Sequence, residues 1–161
     1  MDIQGKTALI TGSAKRLGLA VAIELAGRGA NIIIHYNHSE EEAAEAAGKI
    51  KSLGRASAAL QADLTDPGQV ERLAEQAGHV MGPISILVNS ASVFYKTPFG
   101  QVTVDKWDDL INANVRGAFF LSQALAPQMK EQGQGKIINF SDATLPYAVA
   151  DFTPYAVAKA G

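Results

Sequence analysis

Short apolar runs rich in β-branched residues alternate along the chain with stretches whose apolar positions recur every three or four residues. The first kind suits strands covered on both faces, the second amphipathic helices, and their alternation predicts βαβ units around a parallel sheet. Thr7 to Ile10 is the first strand. A helix from Leu17 follows, with Leu17, Val21 and Leu25 on one face, ending at Gly27-Arg28-Gly29. Ala30 to Tyr36 is the second strand. Ser39 is placed to cap a helix whose first turn holds Glu40, Glu41 and Glu42, where the dipole favours carboxylates. That helix runs to about Leu53-Gly54. Ala56 to Gln61 is the third strand, Asp66-Pro67 starts a helix reaching about Val80, and Ile84 to Asn89 is the fourth strand.

A polar connection from Ser90 to Thr103 leads to what reads as one long helix, from about Val104 to Gln132. Ile111, Asn114, Val115, Ala118, Ser122, Leu125 and Met129 form its expected core stripe. Leu110, Ala113, Gly117, Leu121 and Ala124 give a second small or apolar face, which suits deep burial or pairing with another subunit. Lys136 to Phe140 is a fifth strand. A loop from Ser141 to Asp151 precedes a last helix, with Thr153 as expected N-cap and Pro154 at its first position. That helix has barely begun at Gly161, so a longer functional protein is expected.

The chain has 161 residues, 47% of them hydrophobic and 19% charged, which fits one globular domain over residues 1–161. A net charge of −2 offers no general electrostatic case for nucleic acid or an anionic membrane, and the absence of cysteine excludes disulfides and thiolate metal sites. The polar N-terminus lacks a signal-peptide pattern, and no apolar run is long enough for a membrane span; a soluble, cytoplasmic protein is expected.

The segment Thr11-Gly12-Ser13-Ala14-Lys15-Arg16-Leu17-Gly18 joins the first strand to a helix N-terminus, where N–H groups and the positive dipole end suit a phosphate. Gly12 permits the turn, and Gly18 lets the helix approach strand or ligand closely. Three further stretches accompany it: Leu87-Val88-Asn89-Ser90-Ala91-Ser92, Asn114 in the long helix, and Tyr155-x-x-x-Lys159. Together they resemble the short-chain dehydrogenase/reductase family along the whole chain. Finer features resemble its pteridine reductase branch: Arg16 in the phosphate loop, His35-Tyr36-Asn37-His38-Ser39 after strand two, Phe94, and Asp142 where the wider family has a serine.

The resemblance implies a Rossmann-like doubly wound α/β fold, of which the chain holds the N-terminal two thirds, the C-terminal part being absent. It implies an NADPH-dependent reductase of dihydropterins, with reduction of folates left open by the sequence, and a homotetramer when full length. The residues it assigns to the cofactor are Thr11, Gly12, Arg16, Leu17 and Gly18; His35, Tyr36 and Ser39; Asp63 and Leu64; Asn89, Ser90 and Ala91; and Tyr155 with Lys159. Ser92, Phe94, Asp142 and Tyr155 would meet the substrate, Phe94 by stacking on the heterocycle. NADPH rather than NADH follows from charge: strand two ends at His35-Tyr36 without an acid, and Arg16, His35 and Ser39 would face a 2′-phosphate.

Tyr155 and Lys159 lie four apart on a helix and so share a face; an ammonium there would lower the phenol's pKa towards neutrality and make it a usable acid. By resemblance Asn114 fixes the local helix and a water that reaches Lys159. A carboxylate at Asp142 disfavours an oxyanion but suits protonation at a C=N bond. Ser141 is one residue out of place for the usual serine. Two alternatives stand beside the pterin reading: a reductase of carbonyls such as ketoacyl thioesters or sugars, and a truncated non-catalytic NADPH-binding module.

Overall fold

The computed structural model describes residues 1–143 and 149–161. Its strands are β1 (Thr7–Ile10), β2 (Asn31–Tyr36), β3 (Ser57–Gln61), β4 (Ile84–Asn89) and β5 (Lys136–Asn139). They form one parallel sheet in the order β3-β2-β1-β4-β5. The helices are α1 (Arg16–Gly27), α2 (Glu40–Ser52), α3 (Pro67–Met81), α4 (Val104–Ile111), α5 (Gly117–Glu131) and α6 (Thr153–Ala160). The order reverses between β1 and β4, so their carboxyl ends flank the crevice where doubly wound sheets take ligands.

Strand alternation divides the apolar residues between two cores. Ala8, Ile10, Ile32, Ile34, Ile86 and Val88 pack beneath α1 and α2. Leu9, Ile33 and Leu87 point to the opposite face, against α3 and α5 through Leu73, Ala77, Leu121 and Leu125. This is why β2 and β4 read as unbroken apolar runs: both of their faces are covered. The outer strands differ. β3 is half-buried and β5 is exposed along its length.

Asp66 caps α3 as its sequence suggests, its carboxylate accepting from the N–H groups of Gly68 and Gln69. Three local expectations change. Ser39 occupies the N-cap position of α2, yet its hydroxyl makes no capping bond. The cap of α6 is Phe152; Thr153 is already helical and its hydroxyl donates back to the Ala150 carbonyl. The single helix from Val104 to Gln132 is two α-helices joined by a π-helical turn, Asn112–Arg116. Its buried residues are Leu110, Asn114, Gly117, Leu121, Leu125 and Met129, a mixture of the two expected faces, while Ala124 is exposed. The π turn takes in one residue more than an α-turn, so a uniform 3.6-residue count selects the wrong face upstream of it. Part of the expected loop from Ser141 to Asp151 lies outside the described residues.

Candidate active site

The crevice between β1 and β4 opens into a cavity of about 450 Å³ lined by Gly12, Lys15, Arg16, Leu17, Gly18, His35, Asp63, Leu64, Ser90, Ala91 and Ser92, among others. Its floor depends on two glycines. A Cβ on Gly12 would stand 2.8 Å from Ala91 Cα, and one on Gly18 would stand 2.5 Å from the Gly12 carbonyl oxygen. Gly12 also has φ +63°, and Arg16 occupies the left-handed region at φ 54°, a conformation that costs a non-glycine residue about 1 kcal/mol or more. The loop therefore presents the α1 N-terminus to the cavity with Lys15 and Arg16 beside it, and the Lys15 ammonium is paired with Glu42 at 3.2 Å.

Behind this loop the polar atoms are spent on backbone. Thr11 is 1% exposed; its hydroxyl accepts from the N–H groups of Ser90 and Ala91, both at 3.0 Å, and so locks the β4 loop to the β1 loop. His35 is equally hidden. Its Nδ1 accepts from Gly12 N–H and its Nε2 faces the Ala62 carbonyl, both at 3.1 Å. Burial pushes the imidazole down to about 4, against the opposing pull of that carbonyl and Asp63, so it is neutral near pH 7. This corrects the expectation that His35 meets a 2′-phosphate: both ring nitrogens are engaged and no cation is present. Tyr36 packs instead against the core beneath α1 and α2, and Tyr36 and Ser39 lie outside the cavity lining, which Asn37 reaches. Asp63 holds its own turn, accepting from the N–H and hydroxyl of Thr65.

Asn114 is the polar residue of the π turn, and its amide is saturated. Oδ1 accepts from the Ser92 hydroxyl (2.7 Å) and Val93 N–H (3.2 Å); Nδ2 donates to the carbonyls of Val93 and Leu110, both at 2.9 Å. It clamps the loop after β4 to the helix. With two bonds at each end, the side chain has no capacity left for the water expected of it. Asn89, at the end of β4, donates to Ser122 Oγ and Asn139 Oδ1. Its own Oδ1 is buried without a hydrogen-bond partner among the described residues. This residue lines a second cavity, about 520 Å³, that shares Leu64, Ala91 and Ala113 with the first and reaches Lys159.

The catalytic candidates converge from β5 and α6. Tyr155 donates its phenol to Asp142 Oδ2 at 3.0 Å, while the neighbouring Ser141 hydroxyl turns away to the Lys159 carbonyl. The Lys159 ammonium donates to the Phe140 carbonyl at 3.3 Å and lies 5.9 Å from the centre of the Tyr155 ring. Burial raises the phenol's pKa, Asp142 adds to the rise, and Ser92 opposes it. Burial lowers that of Lys159. The expected lowering of Tyr155 by Lys159 is thus reversed in this structure, because the phenol faces the carboxylate and not the ammonium. The phenol is held protonated.

Phe94 stacks on Phe152 with ring centres 4.7 Å apart and planes 9° from parallel, and meets Tyr155 edge-on at 4.7 Å. One face of Phe94, expected to be free for a heterocycle, is therefore covered, although the side chain remains 58% exposed. The Asp151 main-chain carbonyl accepts from the N–H and hydroxyl of Thr97, which fastens the same two segments. Phe152, Lys15 and Asn37 escape the sequence reading. Lys15 has a local signal, a cation beside Arg16; Phe152 has none, since its partner is 58 positions away in the chain.

Comparison with known proteins agrees with this geometry. The sequence profile of the family described as short chain dehydrogenase matches residues 6–161. The chain is 32% identical to a 3-oxoacyl-(acyl-carrier-protein) reductase, FabG, from Staphylococcus aureus, over 97% of this chain and 63% of that protein. It superimposes on a short chain dehydrogenase from Burkholderia cenocepacia in complex with NADP with a TM-score of 0.91, at 33% identity, covering 99% of this chain and 65% of the other. A blue fluorescent protein from a metagenomic library, in complex with NADPH, gives 0.90 at 34% identity, with the same 99% and 65% coverage. The chain spans about three fifths of the length of the curated relatives it matches. With the fold, the glycine-floored crevice and the Tyr155–Lys159 pair in one frame, the chain belongs to the short-chain dehydrogenase family.

Proposed function

We propose that this protein is an NADPH-dependent reductase whose substrate is a dihydropterin. The residues fit such a cofactor on three counts. A side chain at Gly12 would collide with Ala91 and one at Gly18 with the Gly12 carbonyl, so the two glycines let the loop beside the cavity fold back tightly on its neighbours. Lys15 and Arg16 stand beside the α1 N-terminus, and no acid ends β2 to repel a 2′-phosphate. Asn89 Oδ1 is a buried acceptor in want of a donor, as a ligand hydroxyl would be. Gly12, Lys15, Arg16 and Gly18 would hold the phosphates, Ser90 and Ala91 the middle of the molecule, and Lys159 the ribose near the nicotinamide. The cofactor supplies hydride when bound.

The observation that carries the substrate reading is the 3.0 Å hydrogen bond from Tyr155 to Asp142. A carboxylate next to the acid would oppose a developing alkoxide, whereas a C=N bond being reduced needs a proton at nitrogen and builds no oxyanion. Tyr155 delivers that proton to nitrogen, and Asp142, taking a proton from solvent, passes it to the phenolate to restore the acid. Phe94 and Phe152 form the apolar wall beside the phenol. Lys159 keeps its cationic head behind the ring, anchored on Phe140.

A carbonyl substrate is the second reading, favoured by the identity to the FabG reductase. Following NADPH oxidation with a dihydropterin and, in parallel, with a 3-ketoacyl thioester separates the two. The pterin reading expects turnover of the first, and Asp142→Ser to abolish most of it. Turnover of the thioester alone, or full pterin activity in Asp142→Ser, would overturn it. Exposed Trp107, Phe119 and Phe120 along α4 and α5 support self-association, which sedimentation of the purified protein would test.

A further inference from the structure

His35 touches three pieces of the nucleotide cavity at once. Its main-chain N–H donates to Ser13 Oγ at 3.2 Å, and its carbonyl accepts from Ser13 N–H at 3.0 Å. From the side chain, Nδ1 takes the Gly12 N–H and Nε2 reaches the Ala62 carbonyl, each at 3.1 Å. Gly12 turns the loop after β1; Ala62 opens the loop after β3, immediately before Asp63. In the sheet order β3-β2-β1, the imidazole thus spans from the strand on one side of β2 to the strand on the other.

Only one protonation state serves both contacts. The Gly12 N–H needs a lone pair at Nδ1, and the Ala62 carbonyl needs a hydrogen at Nε2, which is the neutral Nε2–H tautomer. The other tautomer would set an N–H against Gly12 and a lone pair against the carbonyl. A cation would keep the second contact and break the first. Both loops line the cavity, so whatever fixes their separation fixes its width there.

We propose that His35 is the positioning residue of the nucleotide cavity, a neutral strut that sets the gap between the Gly12 turn and the Ala62–Asp63 turn and thereby the affinity for the adenosine-phosphate half of NADPH. The inference rests on the reading of this cavity as an NADPH site. It also explains why a ring so close to the expected 2′-phosphate is turned inward: its hydrogen bonds shape the site, and the charged contacts fall to Lys15 and Arg16.

The test measures dissociation constants for NADPH and for adenosine 2′,5′-bisphosphate, the latter probing this half alone. His35→Asn places an amide oxygen near the Nδ1 position and keeps the Gly12 contact; His35→Gln places an amide nitrogen near Nε2 and keeps the Ala62 contact; His35→Phe keeps the shape and neither. Each single loss is expected to weaken both ligands about tenfold, and the double loss about a hundredfold. Nitrogen-15 NMR of the wild-type imidazole should show a bare Nδ1 and a protonated Nε2. Folded variants that bind the bisphosphate as the wild type does, with or without a lower melting temperature, overturn the inference, as does an Nδ1–H tautomer. Failure of the wild-type protein to bind NADPH would overturn the cofactor reading and the inference with it.

Discussion

At the nucleotide end of the crevice, Thr11, Ser13 and His35 are each no more than 2% exposed, and their polar atoms are spent on the backbone of neighbouring strands. At the other end, Tyr155 is held by side chains and loops: the Asp142 carboxylate, the edge of the Phe94 ring and the paired bonds of Thr97 to the Asp151 carbonyl. The first end is built as part of the core; the second is fastened onto it. A binding surface that must accept the same nucleotide each time gains from rigidity, because ordering has already been met in folding. Damage at the two ends should therefore register differently: in stability and binding together at one, in turnover alone at the other.

The largest effect belongs to the catalytic end. Tyr155→Phe removes the acid and one partner of Asp142, and NADPH oxidation should fall by about a thousandfold, with thermal unfolding little changed. A variant retaining a tenth of the activity would remove Tyr155 as proton donor. Next comes the acid response of the nucleotide end. His35 has a folded pKa of about 4, below its ordinary value of 6.5, so the neutral form is favoured in the fold. Its contribution is complete above about pH 6.5 and is lost as the pH falls towards 4, a span worth about 3 kcal/mol. Denaturant titrations at several pH values should show that slope in the wild type and lack it in His35→Gln.

Smaller still, Gly18→Ala drives a methyl against the Gly12 carbonyl and should cost about 1–3 kcal/mol, lowering the melting temperature by several degrees and weakening NADPH at once. Loss of stability with unchanged NADPH affinity would show that the loop yields without disturbing the cavity. The mildest change is Arg16→Gly. Relief of the left-handed backbone and the added freedom of glycine nearly cancel, so the melting temperature should stay within about 4 °C. The guanidinium would be missed only by the 2′-phosphate, and competition binding should show preference for NADPH over NADH falling by about tenfold.

The same contrast governs what could be read in advance. Strand positions and the α1 and α3 starts follow from patterns within about fifteen residues, the family resemblance implied the doubly wound fold, and the structure reproduces most boundaries to within one or two positions. Of the candidate site residues, Gly12 and Gly18 are expected from spacing and Asp142, Tyr155 and Lys159 from family resemblance, and the structure brings Tyr155 against Asp142. What escaped depends on contacts made across the fold. Nothing beside His35 in the chain says that Gly12 and Ala62 will claim both its nitrogens, and nothing beside Phe94 says that Phe152 will cover its face. The direction of the Tyr155 shift was missed for a related reason. Helical spacing puts Lys159 on the same side, but the carboxylate that reaches the phenol comes from the end of β5.

The π turn between α4 and α5 has a rotational consequence. The 19 steps from Leu110 to Met129, at about 100° each, would end about 100° out of line with their start in an uninterrupted α-helix. Absorbing one residue in the wider turn cancels that drift, so that Leu110 and Asn114 above it and Leu121, Leu125 and Met129 below it face inward along one line. The turn is a phase corrector. Deleting any one residue between Asn112 and Arg116 would do more than shorten the segment by a step: an α-helix rewound across the gap would keep the same alignment while giving up the close seat of Gly117 on Leu64 and the side-chain clamp at Asn114. Inserting one elsewhere in α5 would swing the residues beyond it a quarter turn from the sheet.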